Sequence, residues 1–156
     1  MAEKMTSVDA AVTLFTSGCA CSQAVFGAFA PGFGLSEDTA VRIAAGFGAG
    51  MKMGETCGAA TGAFMVLGLA RAGGTCRTGE GRKVVGDLVV EFSRQFRERR
   101  GALLCRDLLG CDISTPEGHR LAEERNLFKT TCVDTVRDAA IIVESMVASA
   151  RSTGAG

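Results

Sequence analysis

Seven cysteines carry the chemistry of this chain: Cys19, Cys21, Cys57, Cys76, Cys105, Cys111 and Cys132. A thiolate is both a nucleophile and a soft metal ligand, and it forms where positive charge or free N–H groups surround the sulfur. Cys57 stands at the junction of a glycine-rich run and a charge-free helical segment, Gly54-Glu55-Thr56-Cys57-Gly58-Ala59-Ala60-Thr61-Gly62. Thr56 reads as an N-cap, which places Cys57 in the first turn of a helix, where unpaired N–H groups and the helix dipole favour thiolate. Gly58 and Gly62 share one face of that helix. With Gly54 they let another backbone or a cofactor come close, so all three are candidate cofactor-contacting positions.

Cys21 and Cys132 also fall in the first turn of a predicted helix, and Cys105 stands beside Arg106. Three helix starts converging on one site would each lower a thiol pKa, with Cys57 as the attacking thiol. Four thiolates can ligate zinc or an iron–sulfur cluster, and four thiols can equally form redox disulfides. The chain contains no C-x-x-C pair, so no zinc ribbon, ferredoxin or thioredoxin-type motif is written in it. Cys19-Ala20-Cys21 would close only a small, strained and easily reduced ring. Cys105 and Cys111 flank the Gly110 turn and can pair if it folds back. Cys19 and Cys111 are therefore accessory candidates, while Cys76 reads as a small buried hydrophobe. His119 reads as solvent-facing at a helix start, and the lack of a second histidine excludes a His-rich metal site. Met51 and Met53 read as packing residues rather than copper(I) ligands.

The elements that must position these residues are helical. A chain of 156 residues with 47% apolar and 22% charged residues and zero formal net charge suits one soluble domain, residues 1–156, without an electrostatic footprint for nucleic acid. Trp and Tyr are absent. The N-terminus lacks the apolar core of a secretory signal, which points to the cytoplasm, where thiols serve metal or redox chemistry more often than structural disulfides. Residues 56–70 are uncharged but shorter than the roughly 20 residues a membrane span requires.

Caps and stops predict helices over about 7–17, 21–29, from Ser36, from Cys57 to about 72–74, 80–100, 102–109, from Thr115-Pro116, and from Thr130-Thr131 for about 20 residues, with a frayed tail over 152–156. The clearest amphipathic stripe is Val85, Leu88, Val89, Phe92 and Phe96. Arg94, Arg97, Arg99 and Arg100 read as a solvated helix end rather than a basic binding patch. The run from Gly46 to Gly54 lacks phosphate-loop spacing; it reads either as a tight connection or as a shell donating N–H groups to Cys57. The expectation is an all-α, single compact domain of about seven short-to-medium helices.

Four blocks recur together in a known family: Gly18-x-x-Cys21-Ser22-Gln23-Ala24-Val25, then Cys57-Gly58-Ala59-Ala60-Thr61-Gly62, then Cys105-Arg106-Asp107-Leu108-Leu109-Gly110-Cys111-Asp112, then Cys132 before an apolar helix. In these the chain resembles the C_GCAxxG_C_C family of redox-active proteins, over nearly its whole length. The resemblance implies a redox role for Cys21, Cys57, Cys105 and Cys132. Members are small bacterial or archaeal proteins often encoded near transporter genes, which implies a functional link to a transporter.

Three readings follow. The first is a thiol redox protein with an unidentified redox partner. The second is a metalloprotein holding zinc or an iron–sulfur cluster on the same four cysteines. The third is a helical assembly module whose Gly/Ala faces make contacts, including those of a homodimer.

Overall fold

The computed structural model describes residues 3–71 and 75–153, the last four of these by backbone alone. Eight α-helices are present among the described residues: α1 Ser7–Thr16, α2 Cys21–Phe29, α3 Glu37–Ala44, α4 Gly58–Arg71, α5 Gly79–Arg100, α6 Cys105–Leu109, α7 Pro116–Glu124 and α8 Thr131–Thr153. The fold is all-α, and its eight helices match one by one those predicted from caps and stops, against the rounded expectation of about seven. Short polar side chains start the helices as their chemistry requires. Thr6 and Asp9 form a reciprocal box at α1, the Ser36 Oγ accepts the Thr39 N–H at α3, and the Thr115 Oγ1 accepts the Gly118 N–H at α7. Gly101 and Gly110 end α5 and α6 in left-handed conformation. The expected end of the Cys57 helix at 72–74 lies outside the described residues, and α4 is described to Arg71. Helix α8 runs to Thr153, past the start of the expected frayed tail; the rest of that tail lies outside the described residues.

Helix α2 lies centrally, packed on α1, α3 and α4, while α8 crosses α1, α4 and α5. Their shared core includes Val25, Phe29, Val66, Leu67, Phe92, Phe96, Val136 and Val143. The stripe read on α5 faces inward: Phe92 stacks on Phe96 at 5.7 Å and meets Phe64 edge-on at 5.6 Å. Three of the four arginines at the end of α5 are partnered. Arg94 binds Glu91 and Glu98, and Arg99 and Arg100 both reach Asp138 on α8 at 3.1 and 3.2 Å.

Two connections shape the region around α2 and α4. Residues 55–57 run antiparallel to 103–105. Thr56 sits opposite Leu104, the Cys57 N–H donates to Leu103 at 2.9 Å, and the Cys105 N–H donates to Glu55 at 2.7 Å. An Arg106–Glu55 ion pair at 2.9 Å spans the same two segments. Such a short pairing carries no alternating pattern, and it displaces the expected start of a helix at 102 to Cys105.

The second connection is the turn after α3. Ala49, Gly50, Met51 and Lys52 all have positive φ, between 55° and 61°. Three of these are not glycine, and each such residue costs about 1–2 kcal/mol in left-handed helical conformation. The turn closes through the Glu55 N–H, which donates to the Gly50 carbonyl at 3.2 Å. Among the described residues no helix is long and apolar enough to cross a membrane.

Candidate functional site: four cysteines on one cavity

Cys21, Cys57, Cys105 and Cys132 all line a single cavity of about 210 Å³. Each arrives at the start of a helix. Cys21 is the first residue of α2, Cys105 the first of α6, and Cys132 the second of α8. Cys57 stands one position earlier than expected. Thr56 is held in the extended pairing with Leu104 and cannot cap, so Cys57 itself precedes α4 and its sulfur accepts the Ala59 N–H. The same pairing explains how Cys57 meets Cys105. Both flank the Thr56–Leu104 pair, so alternation turns both side chains to the face opposite Thr56 and Leu104.

The central contact is a hydrogen bond between the Cys57 and Cys21 side chains. Cys21 also accepts backbone N–H groups from Ala49, Ser22 and its own residue. The Cys57 S–H donor is the largest influence, and with these N–H groups it brings the Cys21 pKa down from 9.0 to about 6 against the cost of burial. Cys57 moves the opposite way, well above 9.0. Its proton is held by the bond to Cys21, its sulfur is buried, and a Cys21 thiolate beside it opposes a second charge.

This reverses the sequence expectation that Cys57 is the low-pKa thiol. The glycine-rich turn does donate an N–H to sulfur, but through Ala49 and to Cys21. Helix starts do not lower the other two thiols either. Burial first, and the neighbouring Cys21 second, push Cys105 and Cys132 up to about 12.

The local chain is built to hold Cys21 in place. The Gln23 Oε1 accepts the Ala20 N–H at 2.8 Å, and its Nε2 donates to the Val41 carbonyl at 3.0 Å. The buried Ser22 Oγ donates to Ala44 at 2.8 Å. Together these fasten the start of α2 to the end of α3, immediately before the left-handed turn that supplies Ala49. Gly58 lies against Cys21 so closely that a Cβ there would overlap its sulfur, and a Cβ at Gly62 would stand 2.7 Å from the Ser22 carbonyl. At Gly54 it would stand 2.8 Å from Asp112 Oδ1. The space these three glycines leave is therefore taken by the chain's own atoms. The close approach is of sulfur at Gly58, of backbone at Gly62 and of a carboxylate at Gly54.

Of the accessory candidates, Cys111 is half-buried and within electrostatic reach of Cys105 and Cys132. Cys19 packs against the core. Cys76 is exposed, contrary to the buried role read for it, because it falls in the short connection before α5 rather than inside a helix. All seven thiols are free. Met53 is 58% exposed and so fills no gap in the core.

Several site residues carry no sequence signal. The cavity wall is completed by Phe15, Leu108, Leu109, Ile113 and Phe128, with Thr135 at its buried side and Lys52 and His119 on its exposed side. His119 is exposed as expected, yet it lines the cavity, 5.2 Å ring to ring from Phe128. Only Gln23 had a legible cue, three residues after the helix cap. As a metal site the four cysteines share a cavity but not a point: among the described residues no three His, Cys, Asp or Glu side chains gather as a ligand set.

A family model described as "Putative redox-active protein (C_GCAxxG_C_C)" matches residues 19–146, a span that holds all four cavity cysteines. No curated protein and no solved structure matches the chain.

Proposed function

As the chain belongs to the C_GCAxxG_C_C family, we propose that it works as a thiol–disulfide redox protein whose primary pair is Cys21 and Cys57. One observation carries this reading: the Cys57 S–H donates to a Cys21 sulfur that three backbone N–H groups already favour as thiolate. In such a pair one sulfur is charged and nucleophilic at neutral pH, and the other is a protonated thiol in contact with it. Attack by Cys21 on an electrophile leaves a bond that Cys57 resolves, giving a Cys21–Cys57 disulfide. Cys105 and Cys132 border the same cavity as protonated thiols. The strained turn at 49–52 supports the assignment, since backbone strain concentrates at functional sites and here it aims one N–H at the reactive sulfur.

The test is a thiol count. In a Cys76→Ser background, which removes the exposed thiol, a mild excess of diamide removes two thiols together and dithiothreitol restores both. Cys57→Ser abolishes the paired loss. Retention of both thiols under diamide, or a paired loss that survives Cys57→Ser, overturns the assignment.

A further inference from the structure

We propose that the cavity above Cys21 is a binding site for a small hydroperoxide with an apolar body, and that this is the oxidant of the Cys21–Cys57 pair. The inference rests on the redox-pair reading and adds the substrate class. Three observations carry it: the cavity's size, its wall, and the place of the sulfur within it.

A pocket of about 150 Å³ lined by Leu, Ile and Phe is known to bind benzene. The present cavity, at about 210 Å³, is somewhat larger, and Phe15, Leu108, Leu109, Ile113 and Phe128 give it the same kind of wall. It has room for an aromatic ring with a short substituent. Cys21 borders it, and so does its resolving partner Cys57. A small molecule that enters the cavity reaches the thiolate directly. The polar side chains Lys52 and His119 line the same cavity and are exposed, so they mark its mouth. A molecule with an apolar body and a polar reacting end therefore fits the site better than water-like hydrogen peroxide.

The chemistry balances. The Cys21 thiolate attacks the terminal oxygen of ROOH. The O–O bond breaks, and an S–O bond forms as Cys21 sulfenic acid. The alkoxide RO⁻ takes a proton from solvent at the mouth and leaves as ROH. The Cys57 thiol then attacks the Cys21 sulfur. The S–O bond breaks, the disulfide forms, and hydroxide leaves with the Cys57 proton as water. The two sulfurs lose two electrons and the hydroperoxide gains them.

The experiment compares cumene hydroperoxide with hydrogen peroxide on the reduced full chain. Formation of the Cys21–Cys57 disulfide is followed by mass spectrometry, and each rate is divided by that oxidant's rate with N-acetylcysteine. The expected result is a normalised preference for cumene hydroperoxide of about tenfold or more, since burying a phenyl group is worth at least that factor. The unreactive product of that reaction, 2-phenyl-2-propanol, is expected to slow iodoacetamide labelling of Cys21 by occupying the cavity. Ile113→Trp, which fills it, brings the preference down to that of free cysteine. A wild-type ratio near that of free cysteine, or no protection by the alcohol, overturns the substrate class. If diamide still forms the Cys21–Cys57 disulfide, the redox-pair reading stands without it; if diamide also fails, both fall.

Discussion

At Cys21 one sulfur gathers an S–H from Cys57 and N–H groups from Ala49, Ser22 and its own backbone. At Cys57 the bond to Cys21 first and burial second raise the thiol pKa, and at Cys105 and Cys132 burial comes first. Desolvation penalises a charged thiolate, so a helix start lowers a thiol pKa only where enough donors replace the lost water. The consequence is measurable. The rate of Cys21 alkylation is expected to rise through a midpoint near pH 6, against 9.0 for an ordinary thiol. Cys57→Ala removes the largest donor and moves that midpoint upward, and Cys57→Ser, which keeps an O–H, moves it less. Stability follows the same sign. Between pH 6 and 9 the unfolded thiol holds a proton that folded Cys21 has released, so the contribution of this group is present above pH 9 and is lost as the pH falls through 6. An unchanged midpoint in Cys57→Ala would show that the backbone alone sets the Cys21 pKa. That Cys21 rather than Cys57 is the thiolate was not legible in the sequence. Both were read at helix starts, and the decision rests on which sulfur a distant turn supplies with an N–H.

Among the elements, the α2–α4 contact is the one that assembles the pair, and its closeness depends on glycine. Gly58→Ala would put a methyl group on the Cys21 sulfur and within 3.1 Å of the Ser22 nitrogen and the Phe47 carbonyl. It is expected to cost about 1–3 kcal/mol and to push the Cys21 alkylation midpoint upward as the sulfur leaves its donors. Gly86→Ala is the control. Gly86 lies within α5 with nothing near its missing Cβ, so the same change is expected to stabilise by about 0.5–1 kcal/mol and leave the midpoint where it was. Urea melts and the alkylation profile check both.

The helices themselves were legible, because Thr6, Ser36 and Thr115 cap them and Gly101 and Gly110 stop them, all by local chemistry. Two connections were not. The pairing of 55–57 with 103–105 is too short to show an alternating pattern. The turn at 49–52 puts Ala, Met and Lys into a conformation their side chains disfavour, so propensity argues against it and only the surrounding packing maintains it.

For the whole molecule, one topology brings together thiols that are far apart in the chain. Helix α2 contributes Cys21, the paired segments bring Cys57 beside Cys105, and α8 returns to add Cys132. The four-cysteine set was legible as recurring helix starts and as a family pattern. The apolar cavity they share was not, because its wall comes from Phe15, Ile113 and Phe128, which look like ordinary core residues in sequence. The arginines at the end of α5 were read as a solvated helix end, and two of them instead join α5 to α8 through Asp138.

If Cys21 and Cys57 act as a pair, the first bond formed on oxidation joins them. Reduced protein is oxidised with one equivalent of diamide, remaining thiols are blocked at low pH, and the disulfide-linked peptides are identified by mass spectrometry. Cys21–Cys57 is expected as the first bond formed, with Cys105 and Cys132 still reduced at that stage. A first bond that joins Cys21 to Cys19, or that leaves Cys57 reduced, would contradict it.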